Sequence, residues 1–558
     1  MFRINLGRWV SAISYITAPR TGKMAEGSLK VMVSMGHGTN SHIKPLLEVG
    51  TMLRERNHTV FYSSLESYQK FNKPYQLPFV SLGKEKEIEG DMRTKTKQFF
   101  SRIEATSASK DMAQSFGKMA PGAYDVIYPA ILKVMEQEKP DVVLCDFIAT
   151  ACRDAAQMLG IPLVTGFQAT DFFGVTSSPF ITTDLGYGSI TTENMNFLQR
   201  FQSKVIDPLL DYYYYYPMVK KINAVRAKYG VPLASTPFGD FSISLGLSSS
   251  FVGFEAAMNF PPNIKVYGPV KSRSYSPLTP ELAYFLDNHS KTLYIAFGSA
   301  VLLGESDIDN LVIGCLQAMA DGSIDGVLWG LGNTLEEDFP EKFSFNGTEI
   351  TREQLFSGKI PGLQLLSWAP QTSILDHENT KLFISHGGLE SAFEAILSGT
   401  PILCMPYLGD QPRNARKLED AGVGKHLERF SATPAKVADG IGHIMDDATG
   451  SFALNLKRMR TIAEYSSRRK ESGADAVEEY VYTAQACRPL HPHKYGEIPC
   501  ELKHLSLPSR NMPYLIANAL DVYAAAILLA LALTYTIITV IWKLTRSSFL
   551  IDIHKKTQ

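Results

Sequence analysis

The chain has almost no net charge: 55 Lys and Arg stand against 56 Asp and Glu, a balance of −1 over 558 residues. That excludes the basic footprint expected of a nucleic-acid-binding protein. Cysteine is scarce, 6 in all, so the fold is not a small disulfide scaffold. Neither CxxC nor HxxxH spacing occurs, which removes the common zinc arrangements. Cys145, Cys152, Cys315 and Cys404 sit in apolar or helical patterns and read as core thiols. Cys487 and Cys500 lie close together in a loop-like stretch, where a single disulfide could form in an oxidising compartment. What the chain does have is length and apolar content: 45% hydrophobic residues can bury a large core, and the length suits several domains.

Long uncharged runs are rare, and one stands out. Residues 522–542 (VYAAAILLALALTYTIITVIW) carry no charge and are long enough to cross a bilayer. A buried core helix is the plainer alternative, but the run has no polar face. Asp521 precedes it, and Lys543, Arg546, Lys555 and Lys556 follow. The positive-inside rule therefore predicts a cytosolic tail and a lumenal body. The last four residues, Lys555-Lys556-Thr557-Gln558, resemble the di-lysine retrieval signal of endoplasmic-reticulum membrane proteins. At the other end, residues 1–18 offer Arg3 and Arg8 and then a short apolar run broken by Ser and Thr. That is a poor signal peptide, and a plain extension before the first strand is the alternative. Asn57, Asn288 and Asn346 head N-x-S/T triplets that would suit a lumenal protein.

Strand-length apolar runs alternate with helical patterns. Such alternation predicts parallel sheets and an α/β fold. The first set includes runs at 29–34, 59–63, 140–146 and 161–165, with a helical pattern at 43–56. A charged stretch at 84–118 interrupts it and reads as exposed helix or mobile loop. The second set has runs at 291–297, 326–329, 363–366, 381–385 and 401–405, followed by helical patterns at 433–446 and 452–464. The Ser- and Pro-rich stretch at 268–280 reads as a linker between them. The expected organisation is an extension at 1–28, a lobe at 29–268, a linker at 269–285, a second lobe at 286–485, a juxtamembrane segment at 486–521, a transmembrane helix at 522–542 and a tail at 543–558.

The most informative stretch is 368–414, WAPQTSILDHENTKLFISHGGLESAFEAILSGTPILCMPYLGDQPRN. It combines an aromatic at a loop edge, a strand, a His-Gly-Gly turn, a helix and an Asp-Gln pair. Glycines at the turn let backbone approach a ligand closely, and the helix N-terminus offers free N–H groups to an anion. Ser391 and Glu394, three apart, share a helix face. In the first lobe, Ser41-His42-Ile43-Lys44-Pro45-Leu46-Leu47 follows the first strand, and Asp146 ends the run PDVVLCD. A histidine there has a pKa suited to taking a proton from a hydroxyl.

These motifs closely resemble the signature of the UDP-glycosyltransferase family, the UDP-glucuronosyl and UDP-glucosyl transferases of animals, plants and fungi. The resemblance spans roughly residues 29–480. It implies two Rossmann-like lobes facing a cleft, the GT-B fold, here with a C-terminal membrane helix. It implies that Trp368 stacks on uracil with Ala369 beside it, and that Gln371 contacts the nucleotide. His386, Gly387, Gly388, Ser391 and Ser299 would hold the diphosphate, Glu394 the ribose, and Asp410 and Gln411 the sugar. It implies His42 as general base, oriented by Asp146, with His37 as a rival base of poorer spacing. The implied reaction is inverting transfer of a hexose, with glucose favoured by Gln411, from a UDP-sugar co-substrate to a small lipophilic acceptor. No metal or other cofactor is implied, because the helix and His386 would neutralise the phosphates. Asp307-Ile308-Asp309 spells a metal-binding triplet, but it falls at a helix start, where acids serve as caps. Phe167, Phe172, Phe173 and the tyrosines at 212–216 fall where the family builds acceptor pockets, although many of them would also suit plain core. One position departs from the family's pattern: Glu390 replaces an Asn that binds phosphate. A carboxylate there should repel the donor unless it turns outward. It is the main support for a rival expectation, a non-catalytic nucleotide-sugar-binding membrane protein of the same fold.

Overall fold

A computed structural model describes the chain except for residues 1–26, 37, 39, 85–107, 171–194, 237, 239, 258–259, 272–274, 300, 508–511 and 557–558. Residues 1–18 and most of the charged stretch at 84–118 therefore lie outside the described residues. The chain divides into two compact units, residues 1–502 and 503–558.

The larger unit contains two parallel sheets. The first is built from β1 (Lys30–Ser34), β2 (Thr59–Ser64), β3 (Phe79–Ser81), β4 (Val142–Asp146), β5 (Leu163–Phe167), β6 (Leu245–Ser248) and β7 (Ile264–Val266). Their spatial order is β3-β2-β1-β4-β5-β6-β7. The second contains β8 (Thr292–Ala296), β9 (Gly326–Gly330), β12 (Leu363–Leu366), β13 (Thr380–Ser385), β14 (Ile402–Cys404) and β15 (Gly424–His426), in the order β12-β9-β8-β13-β14-β15. Sheets covered on both faces need near-continuous apolar strands. β4, β5, β8 and β9 meet that need, being buried at every residue. In both sheets the first strand of the lobe lies beside one reached only after a crossover, β1 beside β4 and β8 beside β13. The connections diverge at these points and leave a crevice beyond the strand ends.

The expected strands are present, with ends shifted by a residue or two. Six strands were not expected: β3, β6, β7 and β15 extend the parallel sheets, and β10 (Lys342–Phe345) and β11 (Thr348–Thr351) form an antiparallel hairpin. Its two-residue turn is Asn346-Gly347, both at positive φ (48° and 76°), the Asn-Gly signal of a tight hairpin.

Several contacts join the lobes. The helix Glu471–Cys487 returns to the first lobe, where Arg56 donates to Asp475 at 2.7 Å and to Glu478 at 2.6 Å. The Tyr480 hydroxyl accepts from the Leu163 backbone at 3.3 Å. Deeper between the lobes, Lys417 Nζ lies 2.5 Å from Glu255 Oε2, with side-chain exposures of 2% and 1%. Ser250 donates to the other Glu255 oxygen at 2.7 Å.

The cysteine expectation needs correcting. Cys145 and Cys152 are not core thiols but a disulfide, as are Cys487 and Cys500. A tight turn between β4 and the helix Thr150–Met158 brings the Cys145 and Cys152 Cα atoms to 6.1 Å. Cys315 and Cys404 are free and buried, as expected. Asn57, Asn288 and Asn346 are all exposed.

The smaller unit is dominated by the helix Leu520–Lys556. Its stretch 520–546 contains an 18-residue window with a mean hydropathy of 2.4 and is long and apolar enough to cross a membrane.

The Lys417–Glu255 pair generates a stability prediction. Removing one partner of a buried pair leaves an uncompensated charge, at a cost of about 3–5 kcal/mol. Lys417→Met should lower stability by that order in denaturant unfolding, and adding Glu255→Gln should recover most of the loss. A single variant as stable as the parent protein would show that the pair is not buried in solution.

Candidate active site

Both crevices carry the residues that the motifs singled out. In the first lobe, β1 leads into the helix Asn40–Glu55, with His42 in its first turn. β1 pairs with β4 as far as Ser34 opposite Cys145, so Asp146 stands just past the last paired residue. His42 Nδ1 lies 3.1 Å and 3.2 Å from the two Asp146 oxygens. Asp146 is fully buried, and its carboxylate also accepts from the Ile148 backbone at 3.0 Å and from Gln168 Nε2 at 2.9 Å. Gln168 Nε2 reaches the His42 carbonyl at 3.2 Å as well, so one amide steadies both members of the pair. The His42 ring, a quarter exposed, stacks on Phe147 at 5.6 Å. Burial opposes charge on this imidazole, but Asp146, Asp410 and Glu390 outweigh it and hold its pKa above the ordinary value. With Nδ1–H donating to Asp146, Nε2 is the nitrogen able to take a proton. His37 lies outside the described residues.

In the second lobe, β13 ends at Ser385, and His386-Gly387-Gly388 turns the chain into the helix Leu389–Ser398. The His386 ring lies between two glycines. A Cβ on Gly298 would stand 2.8 Å from its Cε1, and one on Gly388 would stand 2.5 Å from its Nε2. Any larger residue at either place would displace the ring. Burial pushes the His386 pKa down to about 4. At neutral pH in the ligand-free protein it is therefore a hydrogen-bond donor without charge. Ser299 is exposed at the end of β8, beside this turn.

Glu394, one turn into that helix, accepts from Gln371 Nε2 at 2.7 Å and from Thr372 Oγ1 at 3.0 Å. Gln371 also reaches Ser391 Oγ at 3.3 Å. Trp368, three residues before Gln371 and next to Ala369, is 65% exposed, as an indole must be to receive a flat ring. Asp410 accepts from Asn414 Nδ2 at 2.7 Å, and the same amide donates to the Gly387 carbonyl at 2.9 Å. Gln411 is buried, its oxygen accepting from the Tyr407 and Leu408 backbones at 2.9 Å and 3.0 Å.

Glu390 does not turn outward. Its carboxylate is ion-paired with Lys44 of the facing lobe, whose side chain is only 9% exposed. The cavity between the lobes is lined by Lys44, Gln168, Thr372, Glu390 and Glu394 among others.

Burial and pairing bear on two further expectations. Asp307 accepts from the Tyr407 hydroxyl at 2.9 Å and from Arg429 Nε at 3.0 Å, so its role is structural. The tyrosines at 212–216 lie on the helix Asp207–Lys228, and Tyr212, Tyr213 and Tyr216 are exposed at 64%, 71% and 51%. These three are not core. Phe167 is buried and joins Phe147 and Phe241 in an apolar cluster next to His42. Phe172 and Phe173 lie outside the described residues. Four contributors were not singled out from sequence: Lys44, Gln168, Thr372 and Asn414. Lys44 and Thr372 adjoin motif residues, and Asn414 follows Asp410 by one helical turn. Gln168 had no local signal.

The geometry agrees with what the chain resembles. A family model described as "UDP-glucoronosyl and UDP-glucosyl transferase" matches residues 40–464. A UDP-glycosyltransferase of Talaromyces amestolkiae is 28% identical, over 90% of this chain and 95% of its own length. UDP-glycosyltransferase 1 of Phaeomoniella chlamydospora is 31% identical, over 70% of this chain and 78% of its own. Among solved structures, a UDP-glucosyltransferase from Polygonum tinctorium superposes with a TM-score of 0.55 at 17% identity, over 82% of this chain and 100% of its own. The shared fold is GT-B, with the two lobes that were expected.

The two histidines should titrate far apart. In NMR of ring-labelled histidine, His42 should titrate above its ordinary value of about 6.5, while His386 should stay neutral until about pH 4. Asp146→Asn should lower the His42 midpoint and leave His386 in place. Co-titration of the two rings would overturn this account of their surroundings.

Proposed function

The chain belongs to the UDP-glucuronosyl and UDP-glucosyl transferase family and is a UDP-glycosyltransferase; we propose that it moves a hexose, glucose foremost, from its UDP-sugar to a hydroxyl of a small lipophilic acceptor, with inversion and without a metal. The observation that carries this reading is the His42–Asp146 pair, whose neighbours Ser41, Lys44 and Gln168 line one cavity with Glu390 and Glu394 of the helix Leu389–Ser398.

In this reading His42 Nε2 takes the proton of the acceptor hydroxyl. Asp146, itself held by Gln168 and the Ile148 backbone, fixes the ring and stabilises the imidazolium that forms. The acceptor oxygen attacks the anomeric carbon as the bond to UDP breaks, and a single displacement inverts that centre. Trp368 receives the uracil, with Ala369 and Gln371 at its edge, and Glu394 accepts from the ribose hydroxyls. The first-turn amides of the helix, the Gly387-Gly388 backbone, Ser299, Ser391 and the neutral His386 receive the diphosphate. Asp410 binds the sugar. Gln411 has its oxygen engaged by its own loop, so any sugar contact falls to its amide nitrogen. The apolar cluster of Phe147, Phe167 and Phe241 beside His42 supports a lipophilic acceptor. The Lys44–Glu390 pair weakens the rival reading of a non-catalytic binder, because Glu390 no longer presents an unbalanced charge to the donor.

The apolar helix supports a single-pass membrane protein. The positive charges that follow it support a lumenal body.

Incubation with labelled UDP-glucose and a panel of lipophilic alcohols tests the reaction. General-base catalysis contributes about 10²–10⁴-fold, so His42→Ala should lower turnover by that order while UDP affinity stays within a small factor. The rate should fall as pH drops through the His42 pKa, at a pH above that of an ordinary histidine. Asp146→Asn should move that limb to lower pH and also slow the reaction. Full activity of His42→Ala on alcohols would refute the assigned base.

Orientation has its own test. Protease added to intact microsomes should remove only the C-terminal tail. Digestion of the body without detergent would place it in the cytosol.

A further inference from the structure

The proposed donor site is rich in negative charge before any donor enters it. Glu390 and Glu394 lie on the helix Leu389–Ser398, and Asp410 lies close enough to bear on His42. A diphosphate brings more negative charge to the same place. The helix N-terminus offsets only about half an elementary charge, and His386 is neutral.

One cation reaches this point from the opposite lobe. Lys44 stands two residues after His42 in the helix Asn40–Glu55. Its ammonium is ion-paired with Glu390 and lies 3.5 Å from Glu394 Oε1. Burial works against its charge, but the two carboxylates outweigh burial and keep it protonated. Glu390 is the second residue of its helix, where an anion meets the free backbone amides. The ligand-free protein thus holds an anion of its own at the helix N-terminus, balanced by a cation from the other lobe. Lys271, which also lines the cavity, is tied to Asp376 at 3.3 Å and to the rim.

We propose that Lys44 is a donor-binding residue supplied by the acceptor-side lobe: its ammonium contacts the diphosphate of the UDP-sugar, and Glu390 competes with the diphosphate for it. This inference rests on the donor site proposed above. Glu390 then has a defined role: it holds Lys44 aimed into the cleft while no donor is present, and it sets donor affinity by competition. Lys44 and His42 share a helix turn, so the contact also draws the base toward the sugar's anomeric carbon.

The test is titration of the full-length protein in detergent with uridine and with UDP, for the parent chain, Lys44→Gln, Glu390→Gln and the double variant. Losing a charge-assisted contact should weaken UDP binding by about 10- to 100-fold in Lys44→Gln, with uridine changed less than about twofold. Glu390→Gln should tighten UDP binding, and the double variant should bind UDP better than Lys44→Gln does. Equal weakening of uridine and UDP by Lys44→Gln would make the pair a structural link between lobes and overturn the proposal. Weakening of UDP by Glu390→Gln would overturn it too. This second variant keeps Lys44, so the idea can be tested even if Lys44→Gln fails to fold. A parent protein that binds neither ligand would defeat the donor-site reading itself. Binding of UDP by the parent with no discrimination among the variants would defeat only the role of Lys44.

Discussion

Each lobe's chemistry depends on one constraint: a parallel sheet whose strand order reverses between its first strand and the strand reached by a later crossover. At β1 and β4, and again at β8 and β13, the connections leave in opposite directions and cannot cover the strand ends. Backbone amides and short side chains at those ends are therefore exposed to a ligand. His42 and Asp146 occupy one such point, and Ser299 and His386 the other. The lobes must then be held face to face, which the buried Lys417–Glu255 pair and the returning helix Glu471–Cys487 accomplish.

Electrostatics divides the work between the two histidines. Both are drawn into protein, and burial alone would make both neutral. His386 has no carboxylate among the groups that set its pKa and stays neutral in the ligand-free protein, able to donate a hydrogen bond. His42 has Asp146 in contact and the acids of the other lobe opposite, so burial is overcome and its basicity rises. The same acids give Lys44 its place in the cleft. A charge pattern that looks hostile to a nucleotide diphosphate when read along one helix is balanced once the facing lobe is included.

Periodicity and spacing made most of the architecture legible. Runs such as residues 142–146 and 292–296 are apolar at nearly every position because both faces of a parallel strand are covered. The donor motif was legible because its members lie within one stretch, on one strand, one turn and one helix. The β10–β11 hairpin was overlooked although Asn346-Gly347 marks it, because the flanking runs, KFSF and TEIT, are only four residues each. The exposure of Tyr212, Tyr213 and Tyr216 was not legible, since aromatic content alone does not say whether a helix faces inward.

The amino-acid sequence by itself determined the fold class, the two lobes and the apolar C-terminal helix, because each depends on local pattern or on residues close in the chain. Only the tertiary structure decided what lies opposite what. The Cys145–Cys152 bridge, the Gln168 clamp on Asp146, the loss of charge at His386 and the pairing of Lys44 with Glu390 all depend on contacts between separate elements. Burial and Coulomb interaction depend on distance in space, and separation along the chain does not report that distance.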